Sequence, residues 1–257
     1  MRILAIGDIV GRPGREYVYK NLSAIRSEHK IDFCIANGEN AAGINGINEE
    51  ITDTLIREGV DVITLGNHAF GISAIANTLD ENKRIIRPLN FPPETPGFGY
   101  TIMDTGLARI AVINVLGRMA MEPMDCPFRA IDKVLNDING KWDICIIDIH
   151  AETTSEKIAF ANYFDERVTA VFGTHTHVQT ADERLLPKGT GYITDLGMTG
   201  VVDSVLGVNK ETIINMFLSR RRMKFDAAEG AAMLSGAIFD IDNKTFKVTE
   251  ITRVNLL

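Results

Sequence analysis

Short apolar, β-branched runs alternate with longer stretches of helical periodicity through the first half of the chain. RILAIG leads to a predicted helix from Arg15 to His29, DFCIAN to a predicted helix from Glu49 to Glu58, and VDVITLG follows. This alternation is what parallel strands joined by helical crossovers require, so it predicts βαβ units and a parallel sheet. From Arg84 to Gly117 the pattern changes to closely spaced strands with Pro and Gly turns, RPLNFPPETPGFGYTIMD and then ARIAVINVLG, which predicts hairpins at a sheet edge. A helix near Arg129 to Asn139, the strand DICIIDIH, a helix from Thr153 to Phe164, the runs VTAVFG and GYITDLG, a helix from Lys210 to Arg221 and the strands AAMLSGAIFDI and TFKVTEITRV complete the chain. No internal repeat, low-complexity segment or hydrophilic linker interrupts it. The simplest organisation is one α/β domain over residues 1–257, with two packed sheets and outer helices.

The polar residues that close the apolar runs carry the functional information. Asp8 follows RILAIG, Glu39 and Asn40 follow DFCIANG, Asn67 and His68 follow VITLG, His150 closes CIIDI, and His175 and His177 follow AVFGT. Ligands of open α/β sheets bind beyond the carboxyl ends of the strands, so these residues converge on one rim. Four of the five histidines stand at such ends, and the fifth, His29, ends an amphipathic helix. In the stretch VFGTHTHVQT, His175 and His177 are two apart, which on extended backbone sends both imidazoles to the same side. Taken singly each residue has a plain structural role: Asp8 as a turn cap, Asn67 as a left-handed turn residue. Gly7, Gly11 and Gly14 fit no phosphate-loop spacing and are turn glycines, Met119, Met121 and Met124 belong to a loop or core fringe, and DLGMTGVVDSVLG (195–207) reads as a loop bordering the pocket.

Composition removes several classes. With 45% hydrophobic residues the chain fills a sizeable core, and no apolar run approaches the roughly 18 residues of a membrane span. MRILAIGDIV lacks the features of a signal peptide, so the expectation is a cytoplasmic protein. Cys34, Cys126 and Cys145 are odd in number and lack C-x-x-C spacing, which predicts reduced, structural cysteines. A formal charge of −7 gives no grip on duplex DNA or an anionic membrane, and the basic run SRRRMK reads as the solvated end of a helix.

Carboxylate, imidazole and amide donors without thiolate suit a borderline or hard divalent cation such as Mn, Fe(II), Zn or Co. Seven donors exceed what one tetrahedral ion uses, so two ions bridged by one carboxylate are indicated. Two dications with Asp8 and Glu39 leave a formal +2. That charge matches one hydroxide and one phosphodiester anion, as in two-metal hydrolysis.

The ordered blocks GDIVG (7–11), GEN (38–40), LGNH (65–68), DIH (148–150) and GTHTH (173–177) resemble those of the calcineurin-like metallophosphoesterases, D-x-H, G-D, G-N-H, H and G-H-x-H. Two departures stand out: Val10 occupies the place of a metal-binding histidine, and Glu39 replaces the bridging aspartate. The opening GDIVGRPGR with GEN resembles the bacterial YmdB-like subfamily along the whole chain. The resemblance implies an αββα sandwich of two mixed β-sheets and a metal-dependent phosphodiesterase for small cyclic nucleotides, 2′,3′-cyclic AMP or GMP. It assigns Asp8, Asn40 and His177 to one cation, Asn67, His150 and His175 to the other, and Glu39 to both. Asn40 supplies the oxygen that Val10 cannot, and His68 is left free to donate a proton to the departing ribose oxygen while activated water attacks phosphorus. Iron or manganese are the expected metals, with Zn, Co or Mg as alternatives. The expected partner is a small phosphodiester, without membrane or stable duplex binding, and a homo-oligomer is compatible with the sequence. Competing readings are a phosphomonoesterase (nucleotidase or protein phosphatase), a metal-binding regulatory protein with little turnover, and a nuclease, which the acidic balance disfavours.

Overall fold

The computed structural model describes residues 1–257. In chain order the elements are β1 (Arg2–Ile6), β2 (Asp8–Ile9), α1 (Gly11–Glu28), β3 (Phe33–Asn37), α2 (Glu49–Arg57), β4 (Val62–Thr64), α3 (Ile75–Glu81), β5 (Ile85–Ile86), β6 (Tyr100–Asp104), β7 (Arg109–Leu116) and α4 (Pro127–Asp137). They continue as β8 (Ile144–His150), α5 (Thr154–Tyr163), β9 (Ala170–Thr174), β10 (Arg184–Leu185), β11 (Gly191–Ile193), β12 (Met198–Val201), α6 (Lys210–Ser219), β13 (Ala232–Ile241) and β14 (Val248–Leu256).

Two mixed sheets result. The first runs β2-β12-β13-β1-β3-β4-β5, with β14 also paired to β13; the second runs β10-β11-β9-β8-β7-β6. The parallel cores β1-β3-β4 and β7-β8-β9 are the βαβ units of the sequence reading. The stretch from Arg84 to Gly117 crosses between sheets: β5 closes an edge of the first, and β6 and β7 form an antiparallel hairpin at the edge of the second.

Strand alternation sorts the apolar side chains into three layers. Leu4, Ile6, Cys34, Ala36 and Ile63 pack outward against Val18, Leu22 and Ile25 of α1 and Ile51 and Leu55 of α2. Their strand neighbours Ile3, Ala5, Phe33, Ile35 and Val62 point inward and meet Ile110, Val112, Ile144, Ile146 and Phe172 of the second sheet. Ala111, Ile113, Cys145, Ile147 and Val171 face out from that sheet onto Ile131 and Val134 of α4 and Phe160 and Phe164 of α5. One-residue alternation on strands of both sheets therefore builds an αββα sandwich.

Several boundaries differ from the sequence reading. Helix α1 starts at Gly11 rather than near Arg15, because Pro13 falls in the first turn where its missing N–H is not needed. Helix α3 went unread; it is seven residues long and lacks a side-chain cap. Within 195–207, Met198–Val201 is a strand rather than loop, held by parallel pairing to β2 and antiparallel pairing to β13. All three cysteines are free, with Cys34 and Cys145 buried. The basic run follows the left-handed cap Arg220 and is exposed.

Candidate metal centre

The carboxyl ends of β1, β3 and β4 in one sheet and β8 and β9 in the other face a common rim, and the eight sequence-selected residues meet there. Asp8, Glu39, Asn40 and His150 are buried, His175 and His177 are half-buried, and the His68 side chain is 36% exposed. Gly66 is what lets Asn67 and His68 come so close, since a Cβ there would collide with the His150 ring and Glu39 Oε2.

Proton positions at His150 follow from its neighbours. Thr174 Oγ1 donates to Asp148 Oδ1 (2.7 Å), so it offers a lone pair to His150 Nδ1 at 2.9 Å, and that nitrogen carries the hydrogen. Nε2 then turns a lone pair toward Glu39 Oε1 (3.1 Å), Asn67 Oδ1 (3.0 Å) and His175 Nδ1 (3.0 Å). His175 Nε2 stands 3.1 Å from Glu152 Oε2, an acceptor, so His175 too keeps its hydrogen away from the cluster. Four lone pairs thus converge. A single proton on Nε2 reaches one partner at a time, whereas a cation serves all four. The protein's electrostatics point the same way: burial alone would lower the pKa of His150, yet the Glu39 charge holds it above the ordinary imidazole range. His175 is pushed down to about 4 by burial and by the neighbouring His150.

The second half of the rim is built around Asp8. Its Oδ2 accepts the His175 N–H at 3.1 Å, while Oδ1 is buried without any hydrogen-bond partner, 3.6 Å from His177 Nε2. Because His177 Nδ1 donates to Leu206 O (3.0 Å), Nε2 is the nitrogen that faces inward, as N–H toward Asp8 without a cation and as a lone pair toward one. Burial works against charge on both groups, but their mutual attraction wins. It raises His177 to about 9 and holds Asp8 below the usual carboxylate range. An orphaned buried carboxylate oxygen beside an inward imidazole nitrogen fits a second cation.

Glu39 lies between the halves. Oε1 is near His150 Nε2 and accepts from Asn40 Nδ2 (3.2 Å), and Oε2 accepts the His68 N–H (3.0 Å). Val10, buried and apolar, is bridged to Asn40 through the backbone, so the asparagine stands beside the position of the missing histidine. Its amide differs from the sequence expectation: Nδ2 faces Glu39 and His177 Nε2 (3.3 Å), and Oδ1 faces His68 Nδ1 (2.9 Å). To act as an oxygen ligand the amide must turn over. The donor atoms of Glu39, His150 and His175 already lie within 4.8 Å of one another.

Sequence reasoning missed Glu152, Thr174 and Asp148, which orient the imidazoles rather than face the centre. Glu152 had a clue, as an acid two residues past His150 in HAE. Thr174 and Asp148 had none, because their effect depends on contact between two strands.

A YmdB-like protein family model matches residues 4–254. A Bacillus subtilis (strain 168) protein named 2′,3′-cyclic-nucleotide 2′-phosphodiesterase is 46% identical over 254 residues, spanning 99% of this chain and 96% of its own. Among solved structures, a hypothetical protein from Thermus thermophilus superposes with a TM-score of 0.94 at 41% identity, covering 99% and 98% of the two chains. A novel phosphatase from Mycoplasma pneumoniae superposes with a TM-score of 0.92 at 35% identity, covering 100% and 93%.

Proposed function

The chain belongs to the YmdB-like protein family, and from that premise we propose that it is a metal-dependent phosphodiesterase that hydrolyses 2′,3′-cyclic nucleotides, folded as one metallophosphoesterase domain. The observation that carries this reading is the buried Glu39 carboxylate, set between two groups of inward lone pairs that need positive charge. Asp8, Asn40 and His177 would hold one divalent cation, Asn67, His150 and His175 the other, and Glu39 would touch both. Oxygen and imidazole donors without thiolate suit Mn or Fe(II), with Zn, Co or Mg as alternatives. The cations supply Lewis acidity that makes water nucleophilic near neutral pH and offsets phosphate charge.

The remaining work falls to side chains. As an oxygen ligand, Asn40 would turn its NH2 to His68 Nδ1, which places the His68 ring hydrogen on Nε2. That nitrogen is the one free to donate to a departing ribose oxygen, and the partial exposure of His68 gives substrate access to it. Glu152 keeps the His175 hydrogen outward. Glu152→Ala is therefore expected to weaken binding of one ion about 10- to 100-fold, measured by titrating Mn into chelator-stripped protein. Unchanged affinity would reduce Glu152 to a surface acid.

No helix is long and apolar enough to cross a membrane. A cytoplasmic setting in a bacterium and a small-molecule substrate complete the reading. Its test is a substrate panel: 2′,3′-cyclic AMP and GMP against 3′,5′-cyclic nucleotides, and bis-p-nitrophenyl against p-nitrophenyl phosphate. Opening of the 2′,3′ ring and faster hydrolysis of the diester are expected. Faster hydrolysis of the monoester would favour the phosphatase reading, which the Mycoplasma pneumoniae relative's description brings into play.

A further inference from the structure

We propose that the buried ion pair Lys157–Asp195 is a positioning device that sets the loop Thr174–His177, and through it the directions of the His175 and His177 imidazoles; this rests on the metal reading of the same centre. Both histidines have left-handed backbone, φ +91° and +62°, a region that residues with a Cβ rarely adopt. Such a conformation persists only where surrounding contacts over-determine it.

Those contacts converge on one ammonium and one carboxylate. Lys157 projects from α5 with its side chain fully buried, and Nζ donates to Thr174 O (2.7 Å), Asp195 Oδ2 (2.7 Å) and Thr176 Oγ1 (3.4 Å). Asp195 Oδ2 also accepts from Thr176 N (3.2 Å) and Thr176 Oγ1 (2.6 Å), while Oδ1 accepts from Gly197 N (2.8 Å). The loop's successive amides are divided between carboxylates, His175 N to Asp8 and Thr176 N to Asp195. Every Thr176 polar contact therefore returns to the pair, and the two histidines are held on either side of that anchor. A buried ion pair is seldom needed for stability, since apolar side chains of similar volume often serve as well or better. What apolar residues cannot do is bind Thr174 O, Thr176 N and Thr176 Oγ1 at once. Neither Lys157 nor Asp195 hydrogen-bonds a histidine of the centre; their side-chain polar contacts go to each other, to Thr174 and Thr176 of the loop and to Gly197.

The test uses the full chain in three forms. Lys157→Met/Asp195→Leu removes both charges together, which avoids stranding one of them. Thr176→Val removes only the hydroxyl grip at a half-buried position and leaves the pair intact. Thermal melting, Mn stoichiometry and affinity by isothermal titration, and kcat and KM on bis-p-nitrophenyl phosphate are measured for each. The double variant is expected to melt cooperatively, to bind Mn about tenfold or more weakly, and to lose about tenfold in kcat with KM little changed. Thr176→Val is expected to weaken Mn binding about threefold or more, and it decides the matter alone should the double variant not fold. Folded variants that bind two Mn with wild-type affinity overturn the positioning role while leaving the metal reading intact. Wild-type protein that fails to take up two Mn overturns the metal reading and this proposal with it.

Discussion

Glu39→Ala is expected to strip at least one cation from protein purified with excess manganese and to lower kcat/KM on the order of 10³-fold or more, about 4 kcal/mol of transition-state stabilisation. The size follows from the position of the carboxylate. Its two oxygens contact His150 on one side and Asn40 and the His68 backbone on the other, so one truncation disturbs both groups of donors. It also removes the carboxylate oxygen 3.1 Å from His150 Nε2, one of the four donors that converge on that side of the centre. Glu39→Gln separates shape from charge: the amide oxygen keeps a donor in place, but a neutral bridge between two dications is weak, and loss of one ion is again expected. Elemental analysis reads the outcome directly. Two ions retained per chain in Glu39→Ala would remove the bridge from the mechanism.

The donors were legible because they obey two rules that sequence expresses: strands alternate, and α/β ligands gather past strand ends. Ile3 against Leu4, and Phe33 against Cys34, divide between the inner and outer layers as period two demands. Asp8, Asn67, His150 and His175 each close or follow an apolar run, and the fold brings them together without exception. What stayed hidden is set by tertiary pairing. Strand β12 is only the four residues MTGV, with Gly200 inside it and Gly197 just before it, too short to show a period and ordered by neighbours on both sides. Thr174 fixes the His150 tautomer across paired strands, and Lys157 reaches the histidine loop from a helix whose periodicity marks that position no differently from its core neighbours. The Asn40 amide is a further case. The sequence supplies an oxygen beside Glu39, but only the surrounding hydrogen bonds decide which end of the amide faces the centre.

His68→Ala is expected to keep both ions and to lower kcat on 2′,3′-cyclic nucleotides about 10²- to 10⁴-fold, roughly 3–5 kcal/mol on the barrier. Alanine preserves the backbone N–H that holds Glu39 Oε2, so the bridging carboxylate keeps that anchor. The half-exposed ring can be replaced by water, so the Asn40 NH2, which faces His68 once Oδ1 serves a cation, loses a partner without being stranded. Leaving-group chemistry then sharpens the assignment. A ribose alkoxide is a poor leaving group and gains most from a proton donor, whereas p-nitrophenolate departs readily without one. The loss on bis-p-nitrophenyl phosphate should therefore be markedly smaller than the loss on the cyclic nucleotide. Equal losses on the two substrates, or manganese released together with the ring, would show that His68 acts by shaping the centre rather than by giving up a proton.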